Sequence, residues 1–186
     1  MTPKKVLIPL AQGCEELEAV TLIDLLVRAK VDVVTASLDD NLSIKASRGV
    51  QLIAQTTLSE IASDKFDLIV LPGGIPGADH LNESELLHEM LQHSIQSGKL
   101  IGAICAAPKV LVESGVLDNK QATSFPGVID QNPAKGMTYL NQPVVIDGQI
   151  ITSKGPGTAM VFALTLIELL VGKAARKTVE AGLQIP

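Results

Sequence analysis

Leu100-Ile-Gly-Ala-Ile-Cys105-Ala-Ala-Pro-Lys-Val-Leu-Val-Glu113 changes its hydrophobic period part-way along. Leu100 to Ile104 is a continuous apolar run of strand length, whereas Val110, Leu111 and Val112 belong to a helix. Cys105 stands at the junction. A residue pinched between a strand and a helix is thrust out above the sheet, and small neighbours make so sharp a bend possible. Gly102, Ala103, Ala106 and Ala107 are such neighbours. A thiol in that place meets the free N–H groups and the positive end of the helix, which favour thiolate over thiol. The competing reading is a small buried residue that fills a gap.

Outward from this stretch, strand-length and helix-length segments alternate. Phe66 to Leu71 (FDLIVL) is a second buried-type strand and stops at Pro72-Gly73-Gly74. Asn82 to Gln96 reads as a helix, with Ser84 or Asn82 as its cap. Nearer the N-terminus come a strand at Lys5 to Leu10, a helix over Glu15 to Lys30 and a strand at Val31 to Leu38. That first helix is expected to be apolar at Leu17, Val20, Leu22, Ile23, Leu26 and Val27. Ser43 to Ala54 is expected to be a hairpin around Arg48-Gly49. Towards the C-terminus, Gln121 to Phe125 reads as a short strand and Val128 to Leu140 as irregular chain. Val144 to Ile146 and Gln149 to Thr152 flank Asp147-Gly148, a strong hairpin signal. Gly155-Pro156-Gly157-Thr158 opens an apolar helix to Val171, and Lys173 to Leu183 is a last amphipathic helix. Continuous apolar strands alternating with helices predict one α/β domain over residues 1–186, its mostly parallel sheet covered on both faces. Ligands in such folds sit beyond the carboxyl ends of the strands. The loops after Leu10, Leu71 and Ile104 are therefore the ones to inspect.

Composition narrows the function. The chain has 186 residues, 46% hydrophobic and 19% charged, which suits a globular chain with a sizeable core. Fifteen Lys and Arg against twenty Asp and Glu give a net charge of −5, and there are three Phe, one Tyr and no Trp. Neither a broad phosphate-binding surface nor a base-stacking platform is expected, so sequence-specific nucleic-acid binding is not either. Two cysteines, Cys14 and Cys105, make no disulfide framework and read as free thiols in a reducing cell. The start, MTPKK followed by VLIPL, is too short in apolar residues for a signal peptide, and Ala159 to Val171 reads as a buried helix, not a membrane span. A cytoplasmic protein without membrane attachment is expected.

Two more places carry chemistry. Gly13-Cys14-Glu15-Glu16-Leu17-Glu18 opens the first helix beyond a strand end. Carboxylates in a first turn suit the helix dipole, which accounts for Glu15 and Glu16. Glu18 flanks the expected apolar face; turned inward, its carboxyl would hold its proton more tightly and could donate it to a neighbouring sulfur. Gly73-Gly74 lets the backbone approach a ligand and aim N–H groups at an oxyanion, although an ordinary tight turn would use the same residues. His80, His88 and His93 lie in or beside one helix, and none adjoins Cys105. His88 and His93 are poorly spaced for a metal, and no phosphate-binding glycine motif or CxxC pair is present. No metal and no cofactor are expected.

These residues together resemble the ThiJ/PfpI superfamily, in the branch of the Parkinsonism-associated deglycase and bacterial YajL. The resemblance rests on Gly13-x-Glu15-Glu16-x-Glu18, Leu71-Pro72-Gly73-Gly74, Ala103-Ile104-Cys105-Ala106-Ala107-Pro108 and Thr152-Ser153-x-Gly155-Pro156-Gly157-Thr158, in that order. It implies a flavodoxin-like three-layer sandwich with a nucleophile elbow, and a homodimer packed through the first helix. By that likeness Cys105 is the nucleophile and Glu18 its protonated partner, while Gly73, Gly74 and the Ala106 N–H form the oxyanion site. Arg28 and Arg48 match basic positions near the dimer interface that hold an anion; solvated surface charge is the plain alternative. The implied activity is that of a glutathione-independent glyoxalase or deglycase acting on methylglyoxal, glyoxal or early glycation adducts, linked to oxidative stress. The alternative is a redox sensor or redox-regulated chaperone working through oxidation of Cys105. One departure narrows the chemistry. Thr123-Ser124-Phe125-Pro126 puts Phe125 where the human-type member has a histidine, and Ala106 follows Cys105 where the protease-like branch has one. A Cys-His peptidase is therefore not expected, and acid/base work falls to Glu18 and water.

Overall fold

In the computed structural model the described residues are 3–185; Met1, Thr2 and Pro186, the ends of the expected domain, lie outside them. The elements follow in chain order. They are β1 (Lys5–Leu10), α1 (Glu16–Arg28), β2 (Asp32–Ser37), β3 (Ser43–Lys45), β4 (Gln51–Ile53), β5 (Thr56–Thr57) and β6 (Leu68–Leu71). Then come α2 (Gly77–Glu83), α3 (Glu85–Gln96), β7 (Leu100–Ile104), α4 (Pro108–Glu113), β8 (Gln121–Ala122) and β9 (Thr138–Tyr139). The hairpin of β10 (Val144–Asp147) and β11 (Ile150–Ser153) precedes α5 (Ala159–Val171) and α6 (Lys173–Leu183). Seven strands form the main sheet in the order β10-β11-β7-β6-β1-β2-β5, parallel throughout except for β10 against β11. The registers Val6↔Val33, Leu7↔Ile69 and Leu71↔Ala103 bring the carboxyl ends of β1, β6 and β7 level with one another.

The strands read as unbroken apolar runs because both faces of the sheet are covered. On one face Val6, Ile8 and Leu10 of β1 pack with Leu22, Leu25 and Leu26 of α1, Phe162 and Ile167 of α5 and Val179 of α6. On the other, Leu7, Ile69 and Ile101 pack with Leu81, Leu87, Leu91 and Val110 from α2, α3 and α4. The period-two alternation of β1 thus sends successive side chains into two separate apolar layers. The mixed α/β fold with a mostly parallel, doubly covered sheet is the one expected. Gly102 is small for a packing reason: a Cβ there would sit 3.0 Å from Val70 Cγ2 and 3.1 Å from Phe162 Cζ. Among the described residues no helix is long and apolar enough to cross a membrane.

Several boundaries differ from expectation. The helix expected over Asn82 to Gln96 is two helices, broken where Ser84 turns extended and caps α3, accepting a hydrogen bond from the Leu87 N–H at 3.2 Å. The strand expected at Gln121 to Phe125 shrinks to β8, which pairs with the two residues of β9. The outward residues of α1 are a clear correction. Leu17, Val20 and Val27 are 50%, 45% and 51% exposed, whereas Glu18, Ala19, Leu22, Leu25 and Leu26 face the core. Helical period identifies apolar positions, but this helix has apolar side chains on two faces and only one can meet the sheet.

Candidate active site

The chain leaves β1 towards β2 on one flank and later returns as β6 on the other, so the crevice between β1 and β6 is a topological switch point. Three loops meet there: residues 11–15 after β1, 72–76 after β6 and the bend after β7. Cys105 occupies that bend at φ +64°, a left-handed conformation that costs a non-glycine residue on the order of 1–3 kcal/mol. Backbone bonds hold it in place. The Cys105 N–H donates to the Ser153 carbonyl at 3.0 Å, and the Cys105 carbonyl accepts from the Phe125 N–H at 2.8 Å. Cys105 is 9% exposed, and the backbone N–H groups of Gly74 and Ala106 are placed so as to favour its thiolate. Phe125 is half exposed, with its ring beside Gly155, and its backbone secures the elbow.

The three acids opening α1 have three separate tasks. Glu15 caps the helix, its Oε2 accepting from the Glu18 N–H at 2.8 Å. Glu16 is buried, not merely a partner of the dipole: its carboxylate accepts from the Ser47 hydroxyl at 3.0 Å and the Arg48 N–H at 2.8 Å, tying the β3–β4 hairpin to α1. Those bonds hold Glu16 below the usual carboxylate range even against its desolvation. Glu18 is fully buried, and its Oε2 accepts from the Gly73 N–H at 2.8 Å. Its Oε1 has no hydrogen-bond partner, which leaves that oxygen to carry a proton. The Cys105 thiol lies close enough to the same carboxyl for the charge of one to oppose ionisation of the other. Gly73 separates them: a Cβ there would lie 2.6 Å from Cys105 Cβ and 2.9 Å from Glu18 Oε2.

Burial, with a smaller contribution from the Glu15 charge, pushes Glu18 up to about 7. Burial first and the Glu18 charge second push Cys105 up to about 12, against the two N–H groups that stabilise thiolate. The expected readily ionised thiol is thus corrected. Around pH 7 Glu18 is about half ionised while Cys105 keeps its proton, and thiolate forms most readily when Glu18 is protonated, which removes the opposing charge. α4 begins only at Pro108 and is six residues long, so its dipole is a weak help to the sulfur.

The structure brings Cys105, Glu18, Gly73, Gly74 and Ala106 together. The Gly73 N–H is taken by Glu18, so the N–H groups left to favour thiolate at Cys105 are those of Gly74 and Ala106. Arg28 and Arg48 are exposed, and neither guanidinium bonds to Cys105 or Glu18; Arg28 Nε pairs with Asp24 at 2.7 Å, and Arg48 uses its backbone N–H to reach Glu16. Cys14 is a free, fully buried thiol that burial pushes up to about 12. Among the described residues no group of three or more His, Cys, Asp or Glu side chains is placed to hold a metal. A cavity beside Ala106, bordered by Asn82, Lys109 and Glu113, has no counterpart in the sequence reading, because its walls come from separate segments with no shared motif.

The DJ-1/PfpI family model matches residues 4–169. The chain belongs to the DJ-1/PfpI family. Among DJ-1 proteins it is 43% identical over 183 residues to Protein dj-1beta of Drosophila melanogaster, covering 98% of this chain and 97% of that one. The crystal structure of Drosophila melanogaster DJ-1beta superposes with a TM-score of 0.95 at 42% identity, covering 100% of both chains. Protein DJ-1 homolog B of Arabidopsis thaliana is 43% identical over 185 residues, and there the chain spans 40% of the relative's length. A Caenorhabditis elegans member named glutathione-independent glyoxalase DJR-1.2 is 37% identical over 161 residues, 87% of this chain and 85% of that one. The finer likeness to the YajL branch rests on the sequence motifs alone.

Proposed function

We propose that the chain is a cysteine-dependent glyoxalase or deglycase, acting on methylglyoxal, glyoxal or their early adducts without glutathione. One juxtaposition carries the reading: a nucleophile on a strained elbow, a buried carboxyl able to hold a proton at neutral pH, and two N–H groups converging on one point. The name of the Caenorhabditis elegans relative supports the same class. The Cys105 thiolate adds to the aldehyde carbon; a C–S bond forms, and the carbonyl π pair moves to oxygen, facing the N–H groups of Gly74 and Ala106. That oxygen takes the proton held by Glu18, leaving a hemithioacetal and a carboxylate. Glu18 then removes the proton on the former aldehyde carbon and returns it to the adjacent carbon, while the hydroxyl proton passes from the first oxygen to the second, giving a 2-hydroxy thioester. Water cleaves the C–S bond, releasing lactate from methylglyoxal or glycolate from glyoxal and restoring the thiol. Cys105→Ser is expected to lose turnover by at least about a thousandfold, because a serine here has no base able to generate an alkoxide at neutral pH. Retained turnover would falsify the scheme. Adduct loss faster than spontaneous release of free aldehyde separates a deglycase from a glyoxalase that drains adducts by mass action.

The same carboxyl favours a second reading, a redox sensor, since a proton on Glu18 can hold an oxidised sulfur. Intact mass after mild peroxide is expected to show two added oxygens on Cys105 in the wild type and fewer in Glu18→Leu. Equal oxidation of the two proteins removes this reading. The stress and chaperone roles, the cytoplasmic location, the single domain and the anion-holding role of Arg28 and Arg48 rest on the family likeness. The same proposal includes a homodimer through α1, supported by the exposed Leu17, Val20 and Val27.

A further inference from the structure

β11 lies beside β7, and the registers Thr152↔Ala103 and Ser153↔Ile104 bring two fully buried polar residues level with the end of β7. The Ser153 carbonyl takes the Cys105 N–H directly. The Cys105 carbonyl is held by the Phe125 N–H at 2.8 Å, and Phe125 belongs to no strand. Whatever fixes Phe125 therefore governs how firmly the bend after β7 stays closed. Residues 121–125 run past the β10–β11 hairpin without a strand ladder to it, since β8 pairs with β9. Their alternate N–H groups find other acceptors. Gln121 donates to the Asp147 carboxylate at 2.8 Å, Thr123 to Thr152 Oγ1 at 2.9 Å and Phe125 to the Cys105 carbonyl. Alternate N–H groups of an extended segment point to one side, so these bonds form one row. Thr152 is its middle member, between the hairpin turn and the nucleophile. The residue type fits that place. Thr152 shares a strand face with Ile150, which packs in the apolar layer that holds Ala122. Valine would fill the same space, and the hydroxyl is what meets the buried Thr123 N–H.

We propose that Thr152 is a positioning residue for Cys105: its hydroxyl fixes Thr123 and, through Phe125, holds the Cys105 carbonyl that keeps the elbow in its left-handed turn. It acts through the backbone of residues 123–125 and not on the sulfur itself. A non-glycine residue at φ +64° persists only while its surroundings over-determine it. Released from Phe125, the bend relaxes, and the sulfur loses its alignment with the N–H groups of Gly74 and Ala106. The effect on turnover rests on the carbonyl chemistry proposed for Cys105, whereas the relay from Thr152 to Phe125 needs none of that chemistry.

The test uses the full chain as wild type, as Thr152→Val, which keeps the volume and removes the acceptor, and as Thr152→Ser, which keeps the acceptor. Amide hydrogen exchange at Thr123 and Phe125 is followed by NMR, and kcat and KM for methylglyoxal are measured well below each melting temperature. In the wild type both amides are expected to be protected and to open together. Thr152→Val is expected to speed exchange at both by at least about tenfold. It is also expected to lower kcat by about ten- to a hundredfold while KM stays within about twofold. Thr152→Ser is expected to restore protection and kcat. A Phe125 amide that stays protected in Thr152→Val, or a serine variant no better than the valine one, overturns the proposal. So does a lower melting temperature with kcat unchanged, the mark of a merely structural threonine. If Thr152→Val fails to fold, the wild type still decides: Phe125 exchanging as fast as free chain, or independently of Thr123, overturns the relay. Absence of methylglyoxal turnover in the wild type overturns the carbonyl chemistry alone, and exchange at Phe125 then judges the relay. Lost protection at Phe125 with kcat retained overturns the positioning role alone.

Discussion

Glu18 buries a carboxyl in the first turn of α1 with one oxygen bonded to the Gly73 N–H and the other bare. Burial, against the Gly73 hydrogen bond, delays its ionisation from 4.5 to about 7. The folded chain holds a proton over that interval which the unfolded chain has already released, so Glu18 makes stability fall as pH rises from about 4.5 to 7 and level off above. Glu18→Gln keeps an acceptor for Gly73 and cannot ionise. It is expected to match the wild type below about pH 4.5 and to exceed it by up to about 2–3 kcal/mol above pH 7, read by urea unfolding across that range. Equal pH dependence of the two proteins would mean that the carboxyl ionises as freely as one in solvent. The wild type therefore keeps at Glu18 a group that costs stability, as sites built for proton transfer commonly do.

At the scale of elements, the site is made by the ends of β1, β6 and β7 and by the tightness of the loop after β6. Gly73 leaves no room for a side chain: a Cβ would meet Cys105 Cβ at 2.6 Å and the Ile104 carbonyl oxygen at 2.8 Å. The second of these is backbone and cannot swing aside. Gly73→Ala is expected to lower stability by about 1–3 kcal/mol and to move the loop off the sulfur, with turnover falling alongside the melting temperature. A variant as stable and as active as the wild type would show that the loop yields without cost. The Glu16 bonds to the β3–β4 hairpin work at the same scale, since they set where Arg48 is carried relative to α1.

For the molecule as a whole, the question is what covers the outer face of α1. Leu17, Val20 and Val27 are large, apolar and exposed along one helix, and Val50 and Ile53 add exposed apolar surface on the hairpin that Glu16 ties to it. Contiguous apolar surface of this kind marks an association face. Sedimentation equilibrium is expected to give twice the chain mass for the wild type and the chain mass for Val20→Asp. A wild-type monomer, or a variant dimer of unchanged affinity, would assign that face to something other than a second copy.

Much of the fold was legible along the chain. β1, β7 and α6 begin and end where their apolar periods do, and the Asp147-Gly148 turn marks its hairpin. These are local properties: strand period, helix period and turn chemistry depend on neighbours in sequence. Cys105 was also legible, because small residues at a strand-to-helix change of period are a local pattern. Glu18 was only one of three acids by that measure. Which acid turns inward, which face of α1 meets the sheet and which of Glu18 and Cys105 gives up its proton first were decided by tertiary structure. Burial and electrostatics depend on distances between segments far apart in the chain, and those distances exist only once β1, β6 and β7 lie side by side.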